Sequence, residues 1–266
     1  MRPINIPASI TKYISQLSQE ELVNVALSGY KSLLKELPEV SIIIPAYNEE
    51  KNIVPTLASL CQNKTSRSVE ILVVDNNSID ATQDLAKACG VTCVQEFQQG
   101  ITFARNRGLS IARGKYILNA DADTIYPEKW IEHMVKPLED EGIALTYGRF
   151  SLIPTAKTGR LTYFLYEYLA EFSRSVNKRI KDEAVNVYGF NSGFRRSQGL
   201  NVDGFNHPVN TNEDGWLALK LRNKGFGKLH LVKNIGALVW TTDRRIQMDG
   251  GLFNGFLKRV KRILRG

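Results

Sequence analysis

Apolar side chains recur at helical spacing between residues 8 and 37, with Leu17, Leu22, Val25, Ala26, Leu33 and Leu34 on the positions expected to be buried. Ser18-Gln-Glu-Glu21 reads as a capping box, and Pro38 closes this helical arm. Packing against the main body is its expected role. From residue 41 the pattern changes to short apolar runs alternating with helical stretches. Ser41–Pro45, Glu70–Asp75, Val91–Glu96 and Lys115–Asn119 predict strands. Glu50–Cys61, Asp80–Ala88, Thr102–Ala112 and Pro127–Glu141 predict the helices between and after them. Such alternation builds right-handed βαβ units and a mainly parallel sheet. No internal repeat and no low-complexity segment interrupts it.

In open α/β sheets, ligands bind just outside the carboxyl ends of the strands. Three such ends carry clustered polar groups: Pro45-Ala-Tyr-Asn-Glu49, Asp75-Asn-Asn-Ser78 and Asn119-Ala-Asp-Ala-Asp123. Asp121 and Asp123, two carboxylates one small residue apart, suit a hard divalent cation that shares its remaining positions with phosphate oxygens. Taken alone, such a pair is more often a turn or a helix cap. There is no G-x-G-x-x-G and no G-x-x-x-x-G-K-[ST], so neither a dinucleotide fingerprint nor a P-loop is present.

The second half adds Tyr188-Gly-Phe-Asn-Ser-Gly-Phe-Arg-Arg196, where small residues beside polar ones allow close backbone approach. Asn212-Glu-Asp214 then opens a helical segment, Gly215–Lys224, that closes at Gly225. Acidic residues in a first helical turn are ordinarily explained by capping and the helix dipole.

A chain of 266 residues with a formal net charge of +8 fits one α/β domain with appendages and favours anionic partners. Much of the surplus lies in the last 25 residues, which argues against a nucleic-acid-binding stripe over the whole body. Cys61, Cys89 and Cys93 lack C-x-x-C spacing and read as reduced core thiols, in keeping with a cytoplasmic protein. No apolar run approaches the ~18–20 residues of a membrane span, and no signal-peptide core follows Met1.

Six segments occur in an order that resembles the family 2 glycosyltransferases: Ser41–Glu50, Val73–Ser78, Ala104-Arg-Asn-Arg-Gly108, Asp121-Ala-Asp123, Asn191–Arg196 and Glu213-Asp214. The resemblance implies a GT-A type nucleotide-diphospho-sugar transferase fold: α/β, with a mainly parallel central sheet flanked by helices. It also implies a hexosyltransferase type of activity, a UDP- or GDP-sugar donor, Mg2+ or Mn2+, and inversion at the anomeric carbon. By the same resemblance, Pro45, Ala46, Tyr47 and Glu49 lie beside the nucleoside, Asp75 pairs with the base, and Asn77 is nearby. Arg105 is a nucleotide-side contact, Asp121 faces ribose and metal, and Asp123 ligates the metal. Asp214 matches the general base with Glu213 as its neighbour, and Asn191, Ser192 and Gly193 lie along donor sugar and acceptor.

This divides the chain into a helical arm (1–38), a catalytic domain (39–240, with a nucleotide half 39–125 and an acceptor half 126–240) and a basic tail (241–266). In the processive members a Q-x-x-R-W segment and membrane helices are found; here Val239-Trp-Thr-Thr-Asp-Arg-Arg245 stands instead, which favours transfer of a single sugar. Arg244 and Arg245 have a second reading, as groups reaching the diphosphate. From Leu252 onward, apolar and basic residues alternate as in an amphipathic helix. It either docks on the domain or lies on an anionic membrane surface at the inner face of the cell membrane. The acceptor is a glycan or lipid-linked molecule; oligomeric state leaves no trace in the sequence. A sugar nucleotidyltransferase would need a glycine-rich basic loop after the first strand, and a non-catalytic binding module would not need Asp214.

Overall fold

A computed structural model describes residues 2–156, 158–180, 182–248 and 250–252. The helical arm is two pieces. A short helix α1 (Ala8–Thr11) runs into a π-turn over Lys12–Gln16, and α2 (Gln19–Leu33) restarts at the Ser18 capping box. Ser18 Oγ accepts from Glu21 N at 3.3 Å while Glu21 Oε2 accepts from Ser18 N at 2.7 Å. Leu22, Ala26, Tyr30 and Leu33 are buried, whereas Leu34 lies past the helix end and is exposed.

Three βα units and a fourth strand follow: β1 (Val40–Ala46), α3 (Ile53–Cys61), β2 (Val69–Asp75), α4 (Thr82–Ala88), β3 (Thr92–Gln95), α5 (Ile101–Ile111) and β4 (Tyr116–Asn119). After the short β5 (Thr124–Ile125), the helix expected over 127–141 is cut to α6 (Trp130–Val135) and a 3-10 turn at Lys136–Glu139. Pro137 is the reason, since it has no N–H to continue the helical ladder. The remaining elements are β6 (Ile143–Tyr147), β7 (Phe150–Ile153), α7 (Arg160–Ile180), β8 (Ser192–Arg195), α8 (Arg196–Asn201), α9 (Glu213–Asn223), β9 (Lys228–Leu231), β10 (Val239–Thr242) and α10 (Arg244–Met248).

The main sheet has the order β3-β2-β1-β4-β8-β6-β9. Only β8 runs against the others, pairing antiparallel with both β4 and β6. A second sheet, β5-β10-β7, joins the strand after the carboxylate pair to the end of the described chain. Along β1 and β2, alternate residues enter opposite apolar layers. Ile42, Ile44, Ile71 and Val73 face the layer that includes α2, α3 and α6; Ile43, Leu72 and Val74 face α5 and α9. A strand buried on both faces reads as a continuous apolar run, which is why these two stand out so clearly in the sequence.

Arg2 anchors the N-terminus to α7, donating to Glu171 Oε1 at 2.6 Å and lying 3.3 Å from Glu167 Oε2. The three cysteines are free, and burial pushes the Cys89 thiol up to about 12. The amphipathic helix expected beyond Leu252 lies outside the described residues.

Candidate active site

Beyond β4 the chain turns through Ala120–Asp123 into β5, and three contacts hold that turn. Thr56 Oγ1 on α3 donates to Ala122 O at 2.8 Å. The Tyr126 hydroxyl accepts from Asp121 N at 2.9 Å and donates to Phe190 O at 3.0 Å. Ala122 is buried in the apolar layer, so Asp121 and Asp123 on either side of it line one cleft.

This cleft, about 550 Å³, sits at the carboxyl ends of β1, β2 and β4. Pro45, Ala46, Tyr47 and Glu49 form one wall, Asn76, Gln99, Gly100 and Ile101 another, and Asp121, Asp123, Arg244 and Arg245 the floor and far side. Tyr47 stands half-exposed at the rim, a flat surface of the kind on which a base stacks. Arg244 grips Glu49 with both terminal nitrogens and reaches Asp123 Oδ2 at 3.3 Å. Thr242 Oγ1 donates to the same Asp123 oxygen at 2.9 Å. A second cavity, about 470 Å³ at the ends of β6 and β9, contains none of these carboxylates; its Lys178 and Arg149 are paired with Glu183 and Glu171.

Beneath the cleft lies Arg105, fully buried on α5. Its Nη2 donates to Asp121 Oδ1 at 2.8 Å, and its Nε lies 3.6 Å from Asp214 Oδ1. Two glycines make this possible. Gly108 lets α5 press onto Ile43 of β1, and a Cβ at Gly189 would collide with both the Arg105 guanidinium and the Asp214 carboxylate. At 3.6 Å the second contact is an ion pair without a hydrogen bond; Arg105 Nε and Nη1 and Asp214 Oδ1 have no hydrogen-bond partner.

Helix capping does not explain Asp214. Asn212 caps α9, its side chain accepting from Gly215 N at 2.8 Å, while Asp214 turns inward and is buried. Burial pushes its carboxyl up to about 7, against the opposing pull of Arg105, with repulsion from Glu213 and Asp121 adding to the rise. Asp121 is also raised, by burial first, with Asp123 adding to the rise against the pull of Arg105. A cation bound between Asp121 and Asp123 would add to the positive charge that Arg244 and Arg245 bring to the cleft.

The donor set suits Mg2+ or Mn2+ of the kind that takes one or two carboxylates and completes its shell with phosphate and water. Among the described residues, no group of three or more His, Cys, Asp or Glu could enclose a metal. His207, the best placed of the three histidines in sequence, is engaged with Thr102 Oγ1 at 3.1 Å through Nε2 and with Pro208 O and Thr211 through Nδ1.

Several residues expected at the donor lie elsewhere. Arg105 is behind the carboxylates, not on the cleft wall. Asn77, at φ 66°, makes the turn after β2 and donates to Phe97 O at 2.8 Å, holding the loop that forms the second wall. Asn191 is consumed in the core: it accepts from Trp130 Nε1 at 2.8 Å and donates to Arg149 O and Ala237 O at 2.8 and 3.0 Å. Ser192 Oγ accepts from Asn119 at 3.1 Å, and Gly193 lies inside β8 against Leu118. These three support the cleft from behind and do not line it. Asp75 is 1% exposed at the end of β2, with Oδ1 unpartnered. Tyr126, Trp130 and the Arg244–Glu49 pair were missed by sequence reasoning. The first two look like core aromatics, and the last joins residues almost two hundred positions apart.

Residues 41–198 match the model of the glycosyl transferase family 2, more than half of the chain. The protein belongs to this family. Glycosyltransferase AglE of Haloferax volcanii is 30% identical over 160 residues, covering 57% of this chain and 52% of AglE. The Escherichia coli UDP-Glc:alpha-D-GlcNAc-diphosphoundecaprenol beta-1,3-glucosyltransferase WfaP is 32% identical over 115 residues, 42% of this chain and 45% of WfaP. This family 2 glycosyltransferase therefore spans about half the length of these relatives. The mannosyltransferase PcManGT of Pyrobaculum calidifontis, solved with GDP-Man and Mn2+, shares the GT-A fold: TM-score 0.59 over 96% of this chain and 75% of that one, at 20% identity.

Proposed function

We propose that this glycosyltransferase moves one sugar from a UDP- or GDP-sugar to an acceptor hydroxyl with inversion at the anomeric carbon, using Mg2+ or Mn2+. The observation that carries the reading is the buried Arg105, which ties Asp121 at the cleft to Asp214, a carboxyl pushed up to about 7. A group with that proton affinity can accept a hydroxyl proton near neutral pH, which an ordinary carboxylate does poorly.

Asp121 and Asp123 would hold the cation, which would supply positive charge to stabilise the leaving diphosphate. Arg244 and Arg245 add positive charge on the same side, with Arg244 exchanging part of its hold on Glu49 and Asp123 for phosphate oxygens. Tyr47 stacks on the base, and Asp75 accepts from it through the unpartnered Oδ1. Asp214 takes the acceptor proton as the hydroxyl attacks the anomeric carbon opposite the leaving diphosphate. One base and no protein nucleophile give single displacement, hence inversion.

A glycan or lipid-linked acceptor at the inner face of the cell membrane fits the net charge of +8 and the diphosphoundecaprenol acceptor in the name of WfaP. Calorimetry of UDP and GDP with and without Mn2+ tests the donor half of the reading. Asp123→Ala should lose the metal-dependent part of binding while Asp214→Asn keeps it. Equal binding with and without Mn2+ in the wild type would overturn the metal assignment.

A further inference from the structure

The face of α7 turned away from the body has no partner among the described residues. Leu161, Leu165, Tyr168, Leu169, Phe172 and Ile180 are each between 40% and 75% exposed. Their spacing of mostly three or four places them on one stripe along a 21-residue helix. Such a stripe presents on the order of several hundred Å² of contiguous apolar surface, the size at which a patch marks an interaction site. The opposite face is fully used. Tyr163 is buried, Glu167 receives Arg2 and Arg160, and Glu171 receives Arg2 and Arg149.

The charges around the stripe indicate what covers it. Both acids of the helix turn inward and are neutralised, so its outer side carries no free negative charge. Arg179, at the end of the stripe, is an exposed cation, while Lys178 turns to the body side and pairs with Glu183. An apolar face with aromatic rings, an exposed arginine at one end and no free acid suits the headgroup boundary of an anionic bilayer. No described helix is long and apolar enough to cross a membrane, so α7 would lie on the surface. Position adds a second argument. Gln247 Nε2 of α10 donates to the Tyr163 hydroxyl at 3.1 Å, and Asp243 accepts from the same hydroxyl. Helix α7 is thereby fastened to the segment that carries Arg244 and Arg245 into the donor cleft.

We propose that the outer face of α7 docks the protein on an anionic lipid surface. The apolar stripe enters the headgroup boundary, Arg179 meets lipid phosphate, and the donor cleft is brought beside the membrane. This docking rests on the chemistry of the helix face and stands whether or not the sugar-transfer mechanism is right.

Sedimentation with phosphatidylcholine vesicles, with and without phosphatidylglycerol, tests it on the full chain. The triple variant Leu165→Glu, Leu169→Glu, Phe172→Glu alters only exposed side chains. It should keep the wild-type circular dichroism and donor hydrolysis while losing at least tenfold in vesicle binding. Arg179→Glu should weaken binding to the phosphatidylglycerol vesicles alone. Wild-type protein that ignores anionic vesicles, or a triple variant that binds them as the wild type does, would overturn the proposal. So would a wild-type dimer that the triple variant dissociates without any change in vesicle binding, because the stripe would then belong to a second copy.

Discussion

Asp214→Asn isolates the proton-accepting step. The substitution keeps the size of the side chain, and Arg105 remains held by Asp121 at 2.8 Å, so the cleft should stay intact. The carboxyl of Asp214 is pushed from 3.8 to about 7 by burial. It works as a base only when ionised, so turnover should rise with pH. About one-tenth of the plateau rate is expected one pH unit below that value and about nine-tenths one unit above it. The amide cannot accept the proton. Loss of a general base lowers kcat by about 10²–10⁴-fold, equivalent to roughly 3–5 kcal/mol of transition-state stabilisation. Release of nucleoside diphosphate from the sugar donor, with water standing in for the acceptor hydroxyl, gives the readout across pH 5–9. Calorimetric affinity for the nucleotide should change by no more than about twofold, since Asp214 does not line the cleft. Normal turnover in Asp214→Asn would refute the reasoning. So would a wild-type profile whose acidic limb lies near pH 4, because the buried environment would then not be acting on the catalytic group.

Arg105→Met strands two buried carboxylates and should destabilise the fold by about 3–5 kcal/mol in urea unfolding. It should also move the acidic limb of the rate profile upward, because the largest influence that lowers Asp214 is removed, leaving only the Gly189 backbone hydrogen bond. In the double variant with Asp214→Asn, the loss should be smaller than the sum of the two; strict additivity would deny the coupling. Arg244→Ala should weaken nucleoside diphosphate binding about tenfold with little change in stability, since the side chain is half-exposed and its partners face the cleft. Asn191→Ala removes the partner of Trp130 Nε1 and one donor each from Arg149 O, which keeps Val239 N, and Ala237 O, and should lower stability by about 1–3 kcal/mol. Unchanged stability with lost donor binding would instead return Asn191 to the sugar.

The parallel half of the sheet was legible because its central strands are buried on both faces. Runs such as Ile42–Ile44 and Ile71–Val74 allow no other reading. The antiparallel β8 was not. Ser192-Gly-Phe-Arg195 carries neither alternation nor an apolar run, and it is a strand only because β4 and β6 flank it. Helix α7 escaped notice although its apolar stripe has a helical period, because none of the motifs fell on it. At the site, the positions of Asp121 and Asp123 followed from a strand end, a local property. The burial of Arg105 did not follow, because it depends on two separate close approaches, Gly108 onto Ile43 and Gly189 onto Arg105 and Asp214. Asn191 was legible as an important position, but not its hydrogen bonds to Trp130, Arg149 and Ala237. A polar residue among glycines resembles a ligand contact, and only the positions of Trp130, Arg149 and Ala237 reveal it as a core hydrogen-bonding hub.

Release of nucleoside diphosphate from a panel of UDP- and GDP-sugars, followed with Mn2+ and with chelator, tests most directly whether this cleft holds a metal and a sugar donor. One class of donor should yield nucleoside diphosphate with Mn2+, lose it with chelator, and lose it again in Asp123→Ala. Pyrophosphate in place of nucleoside diphosphate, or release indifferent to the chelator, would contradict the metal-dependent transfer assigned to Asp121, Asp123 and Asp214.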